Sequence, residues 1–159
     1  MEEKTFIEQV NNCRGLLLKL IALYAYSISD RNDLYQEILL NAWRSIGSFR
    51  HEAKFSTWLY QVALNTIFTA NRKQQKISYH DSLENFNLIQ AGNFEANEDI
   101  QHLYMAIRQL NETDRAIITL HLEGYDNPEI ANILGIKPNY VGVKLYRIKT
   151  QLQTILKRI

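Results

Sequence analysis

NPEIANILGIKPNYVGVKLYRIKTQL, residues 127–152, carries helical spacing on both sides of a break: Gly135 interrupts it and Pro138 follows three residues later. Asn127-Pro128 and Lys137-Pro138 each set a proline at a helix start, where the missing amide hydrogen is harmless. Asn127 offers a capping side chain; Lys137 is a poor cap. Gly135 suits a left-handed turn that lets two short helices cross steeply, and Ala131 is small where they would approach. In the second helix Val141, Leu145, Ile148 and Leu152 fall at i, i+4, i+7 and i+11 and form an inward face. Asn139, Tyr140, Val143, Lys144 and Arg147 then remain outward. No acidic residue stands between Glu129 and Ile159, so residues 130–159 carry +6. A helix-turn-helix with a basic second helix fits this pattern, since phosphate-facing surfaces exclude carboxylates. The bland alternative is a helical hairpin with a solvated basic face. Arg and Lys serve phosphate or guanine and Asn can pair with adenine, so spacing assigns no bases.

Working outward, the same segregation of charge recurs. Residues 1–76 hold ten basic and seven acidic residues, 77–99 five acidic and no Lys or Arg, and 100–159 eight basic and five acidic. Two basic blocks flanking an acidic one, within a net +1, predict two surfaces that meet polyanions. Six glycines and two prolines in 159 residues favour helices over a turn-rich β fold. Apolar residues recur helically from Phe6 to about Ser27, again from about Asp30, a plausible cap, to Ile46, and from near Ser56 through Ile67. Periodicity fails over roughly 77–97, which reads as linker, and returns with Ile100, Leu103, Ile107 and Leu110. The expected fold is therefore all-α: two small helical domains, 1–76 and 98–159, joined by a flexible acidic linker at 77–97.

Composition also excludes functions. Cys13 is the only cysteine, so neither an intrachain disulfide nor a cysteine-based zinc site can form. His51, His80, His102 and His121 are scattered, with no HExxH, P-loop or Ser-His-Asp spacing, and no enzyme, metal or cofactor is expected. LLLKLIAL at 16–23 is too short and too charged to cross a bilayer. With a polar, acidic start instead of a secretory signal, a soluble cytoplasmic protein without membrane insertion is expected.

In the first block, Phe49, Phe55, Trp58, Tyr60 and Phe68 are interleaved with Arg50, Lys54, Arg72, Lys73 and Lys76. Rings beside cations suit single-stranded nucleic acid, although Phe55 and Trp58 serve a core equally well. Thr57, Gln61 and Asn65 flank the same helix, as base contacts or as a solvated face. Asp33, Gln36, Glu37, Asn41 and Arg44 line the polar side of the preceding helix, as a partner face or merely a wet one.

Two runs of this sequence together resemble the extracytoplasmic-function group of sigma-70-type sigma factors. DLYQEILLNAWRSIGSFRHEAKFSTWLYQVALN, with Asp33-Leu34, Gln36-Glu37 and Phe55-Ser56-Thr57-Trp58-Leu59, is similar to region 2. LNETDRAIITLHLEGYDNPEIANILGIKPNYVGVKLYRIKTQL, with Thr113-Asp114-Arg115, Glu129-Ile130-Ala131 and Gly135-Ile136, is similar to region 4. The resemblance implies a transcription initiation factor that binds bacterial core RNA polymerase and recognises −10 and −35 promoter elements. The alternative is a stand-alone helix-turn-helix regulator. By resemblance, Asp33, Gln36, Glu37 and Asn41, with Arg44 on the same stripe, dock on polymerase. Lys54 to Lys73 captures the melted −10 strand through Lys54, Phe55, Thr57, Trp58, Gln61, Asn65, Arg72 and Lys73. Asn139, Tyr140, Lys144 and Arg147, with Val143 beside them, enter the major groove at the −35 element. Arg115 matches an arginine that touches phosphate or braces the fold. An anti-sigma factor is the implied regulatory partner, and no small-molecule substrate is implied. Lys137 and Gly142-Val143 depart from the Ser/Thr cap and Lys-Ser pair usual in the family.

Overall fold

The computed structural model describes residues 1–74 and 97–158. Among them there are eight α-helices, one 3₁₀ turn and no strand. The helices are α1 (Glu3–Asn12), α2 (Arg14–Tyr24), α3 (Ile28–Ser45), α4 (Phe55–Gln74), α5 (Glu98–Arg108), α6 (Glu112–Leu122), α7 (Asn127–Leu134) and α8 (Pro138–Leu156), with the 3₁₀ turn at Ile46–Ser48. They fall into two compact units, α1–α4 and α5–α8. The linker expected over 77–97 lies outside the described residues except for Asn97, whose side chain accepts the Asp99 amide and caps α5.

The first unit is built around α2, an almost wholly apolar helix in which Leu17, Leu20, Ile21 and Leu23 are fully buried. Ile38 of α3 and Leu59, Leu64 and Ile67 of α4 close over it. The single helix expected from Phe6 to Ser27 is in fact two. Cys13 takes φ −99° and ψ 0°, donating its amide to the Val10 carbonyl, and α2 starts afresh at Arg14. A one-residue break without proline barely disturbs the phase of the apolar positions, so periodicity runs through it unmarked. A second correction concerns α3: its cap is Ser27, whose hydroxyl accepts the Asp30 amide at 3.0 Å. Asp30 sits instead in the first turn, where its charge suits the helix dipole.

The second unit buries Ile107, Leu110, Ile117, Leu120, Ile130, Val141 and Ile148 among α5–α8. Gly124, at φ 97°, turns the chain just past the end of α6. The α7 cap differs from the sequence reading: Asp126 accepts the Glu129 amide at 2.8 Å while Glu129 accepts the Asp126 amide at 3.3 Å. This reciprocal capping box moves Asn127 into the first helical position and Pro128 to the second. Gly135 is left-handed at φ 69° and ψ 34°, and the Ile136 amide returns to the Ala131 carbonyl at 3.0 Å. Lys137 precedes α8 without a side-chain capping bond, as its chemistry requires.

Candidate nucleic-acid interface and partner face

The left-handed Gly135 turn aims α8 away from α7, and α8 then divides cleanly. Val141, Leu145, Ile148 and Leu152 are buried, while Asn139, Tyr140, Val143 and Arg147 are exposed. Gly142 lies where a Cβ would stand 3.5 Å from Asn127 Nδ2, an ordinary contact between α8 and the start of α7. Lys144 departs from the expectation that it points freely outward. Its ammonium sits 3.3 Å from Asp114 Oδ1, a contact that is ionic and not a directed hydrogen bond. Asp114 is buried on α6, and its second oxygen accepts Asn111 Nδ2 at 3.1 Å. The Lys144 ammonium also lies 5.7 Å from the centre of the Tyr140 ring. Lys144 thus ties the outer helix to α6, with Tyr140 on the same flank. Arg115 is half-buried and donates Nε to the Leu110 carbonyl at 2.9 Å, fixing the α5–α6 corner.

Sequence reading missed Tyr146. At 77% exposure it is the most open large apolar side chain among the described residues. It stands three residues beyond Val143, itself 53% exposed, and so on the same stripe. The available signal was its place opposite the Val141, Leu145 and Ile148 seam.

In the first unit the aromatic residues around Phe55 form one cluster, and Tyr24 with Phe68 forms a separate pair at 6.1 Å. Phe55 packs against Phe6, Phe49 and Trp58 at centroid distances of 6.1, 5.7 and 5.5 Å, and Phe49 reaches Trp58 at 5.5 Å and His51 at 4.4 Å. Phe55 and Thr57 are buried, contrary to their assignment as strand contacts. Phe55 shares a stripe with Leu59, one turn on, while Thr57 is buried on another side of α4. Trp58 and Gln61 are half-buried, and Lys54, Asn65, Arg72 and Lys73 are exposed. The structure therefore brings together partly open rings and cations around the start of α4, while Arg72 and Lys73 lie about five turns away at its far end.

On α3, Asp33, Gln36, Glu37 and Arg44 are exposed. Asn41 is half-buried and donates to Thr66 Oγ1 at 3.1 Å, joining α3 to α4. Beside the polar stripe runs an apolar groove between α1 and α3, lined by Phe6, Ile7, Leu39, Leu40 and Trp43. Trp43 is 39% exposed, and one side of its ring meets Phe6 of α1 at 5.1 Å. Leu40 and Ile7 are likewise exposed and were not singled out by spacing.

Burial rather than reactivity governs the displaced ionisable groups. Burial raises the Cys13 thiol above its ordinary range, partly offset by Tyr60, and lowers the Arg31 guanidinium, whose Nε donates to the Ala25 carbonyl at 3.1 Å. Among the described residues no three His, Cys, Asp or Glu side chains are grouped to hold a metal, and no helix is long and apolar enough to cross a membrane.

Comparison with known proteins matches residues 10–77 to Sigma-70 region 2 and residues 100–152 to Sigma-70, region 4. The ECF RNA polymerase sigma-E factor of Escherichia coli K12 is 28% identical over 99% of this chain and 91% of its own length. That of Haemophilus influenzae is 28% identical over 96% of this chain and 87% of its own. Among solved structures, the sigma factor RpoE of Bartonella quintana, in complex with the anti-sigma factor NepR, gives a TM-score of 0.79 at 22% identity, covering 97% of this chain and 98% of that one. CnrH, in complex with the cytosolic domain of CnrY, gives 0.73 at 18% identity, covering 99% and 90%. At such identities the two structures speak for the fold.

Proposed function

The chain belongs to the sigma-70 family, in its extracytoplasmic-function group, and from that premise we propose how its two units divide the work of starting transcription. It is a transcription initiation factor that binds core RNA polymerase and directs it to promoter DNA, a task of binding and positioning and not of enzymatic turnover. The observation that carries this is the pair of family regions, in order, each falling on a different compact unit.

In this reading the α1–α4 unit holds polymerase and the −10 strand. Asp33, Gln36, Glu37 and Arg44 supply the polar part of the polymerase face, with Leu40 and Trp43 as apolar anchors and Asn41 bracing α3 on α4. A mixed face of this kind suits a protein partner, since apolar anchors ringed by polar groups dominate such interfaces. Around the start of α4, Trp58 and Phe49 offer partly open rings and Arg50 and Lys54 exposed cations for unpaired bases and phosphates. Gln61, Asn65, Arg72 and Lys73 extend that track, and Phe55 and Thr57 support it from the core. The α5–α8 unit takes the −35 element through α8. An anti-sigma factor is the expected regulator, by analogy with the structural neighbour RpoE, solved in complex with the anti-sigma factor NepR, and the cytoplasm the expected compartment.

The test mixes the full chain with bacterial core polymerase and genomic fragments from its source, and measures run-off transcripts. Discrete starts that require the protein are expected. DNA binding on a palindromic site without polymerase would favour the stand-alone regulator. The double variant Gln36→Ala with Glu37→Ala should weaken polymerase association while duplex −35 binding is retained.

A further inference from the structure

Resting on that reading, we infer that Asp114 is a positioning residue for −35 binding: it holds Lys144 within the fold, so that α8 meets duplex DNA with one cation fewer than its sequence carries. Residues 130–159 contain six basic side chains, Lys137, Lys144, Arg147, Lys149, Lys157 and Arg158. Five are exposed, and Lys144 alone is half-buried. Its ammonium lies 3.3 Å from Oδ1 of Asp114, which is buried on α6. Asp114 is itself anchored. Its amide donates to the side chain of the α6 cap Asn111 at 2.9 Å, and its Oδ2 accepts Asn111 Nδ2 at 3.1 Å.

That geometry decides between two uses of one cation. A phosphate contact only replaces water and condensed counterions, whereas a buried carboxylate stripped of its cation has nothing to take its place. Asp114 therefore outcompetes phosphate for Lys144. The other neighbour of the ammonium, the Tyr140 ring at 5.7 Å, is a weak hold by comparison. Lys144 nevertheless stands beside the proposed DNA face. Arg147 is three residues on and Tyr140 four back, both exposed and both its neighbours on the helix surface. Its flexible four-carbon stem would carry the charge to the phosphate flank once Asp114 released it. Phosphate contacts carry no sequence information, so the carboxylate lowers the sequence-blind attraction of this unit for duplex.

The experiment uses holoenzyme reconstituted from the full chain and bacterial core polymerase. Its affinity for a duplex carrying a promoter found in the run-off assay is followed from about 50 to 200 mM salt. Asp114→Asn keeps the shape of the side chain and an oxygen for Asn111 Nδ2 but removes the charge. It should bind more tightly than the parent at low salt, with a salt slope steeper by about one, so that its advantage shrinks about 3.5-fold across that range. The gain should be the same on a duplex with a scrambled −35 element. A merely structural role would weaken binding and leave the slope alone. Asp114→Asn with Lys144→Ala removes both charges together, leaves no buried ion unpaired, and should return to the parent slope. A slope smaller by about one in that double variant would mean that Lys144 already meets phosphate in the parent, and overturns the inference even where the single variant fails to fold. Unchanged or weaker binding by a folded Asp114→Asn chain, or a gain confined to the intact −35 element, overturns it too and leaves the initiation role standing. Absence of polymerase-dependent transcripts on every template removes both.

Discussion

The two units place differently the groups proposed to bind. In α8 the residues that hold the fold and those that face outward lie on opposite sides of one helix: Val141, Leu145, Ile148 and Leu152 within, Asn139, Val143, Tyr146 and Arg147 without. Around α4 the same rings serve both ends, since Phe49 and Trp58 are half-buried against Phe55, which reaches Phe6 on α1. On the proposed assignments, recognition is therefore separable from stability in the second unit and entangled with it in the first. The physical cause is shape. A helix projecting from a left-handed turn has a free face, whereas a loop folded onto its own helix builds its surface from the flank of the core.

The strongest way to break this contrast is Phe55→Ala. Emptying that site should destabilise the first unit by about 3–5 kcal/mol. Both tryptophans, Trp43 and Trp58, lie in that unit, so denaturant unfolding followed by their fluorescence reports it selectively. Loss of −10 binding with no change in that transition would show recognition and stability to be separable there too.

Lys144→Ala and Arg147→Ala sharpen the contrast within one helix. Removing Lys144 leaves a buried carboxylate without its cation, and the second unit should lose about 2–3 kcal/mol, seen by circular dichroism. The salt dependence of duplex binding should hardly change. Arg147→Ala should do the reverse: stability within about 0.5 kcal/mol of the parent, weaker −35 binding, and a salt slope smaller by about one. Identical behaviour of the two variants would refute the assignment of Lys144 to the fold.

Capping should be blind to the difference between units. Ser27→Ala in α3 and Asp126→Ala in α7 should each cost about 1 kcal/mol, each in its own unit, since each removes a local acceptor for one amide. The smallest effect is expected at His121, held below its ordinary range by burial and by the nearby Lys149 charge. The unfolded chain takes up that proton at higher pH than the folded one. Stability is therefore fully present above about pH 6.5, the unperturbed histidine value, and declines as pH falls below it. His121→Gln should flatten that decline in thermal melts taken between about pH 5 and 7, and an unaltered slope would assign it to other groups.

Much of the second unit was legible because its signals are local. Gly135 and Pro138 mark their turn by backbone sterics, and the seam at 141, 145, 148 and 152 follows from helical period alone. Helix starts were read less well: Asn127 and Asp30 were favoured where Asp126 and Ser27 hold the cap. Capping polar residues cluster in those stretches, and only backbone dihedrals distinguish the one that caps. Phe55 could be core or contact from spacing, and neighbours from α1 and the preceding loop decided the matter.

The helical class, the two basic blocks, the break before α8 and the family were all readable from chain order, because periodicity, charge and short motifs are properties of it. Packing alone set Lys144 against Asp114, left Tyr146 open beside Val143, and put Trp43 at the border of a groove. Each of these depends on which distant residue fills the space beside a side chain. Helical spacing gives the direction in which a residue points; packing determines what it meets there.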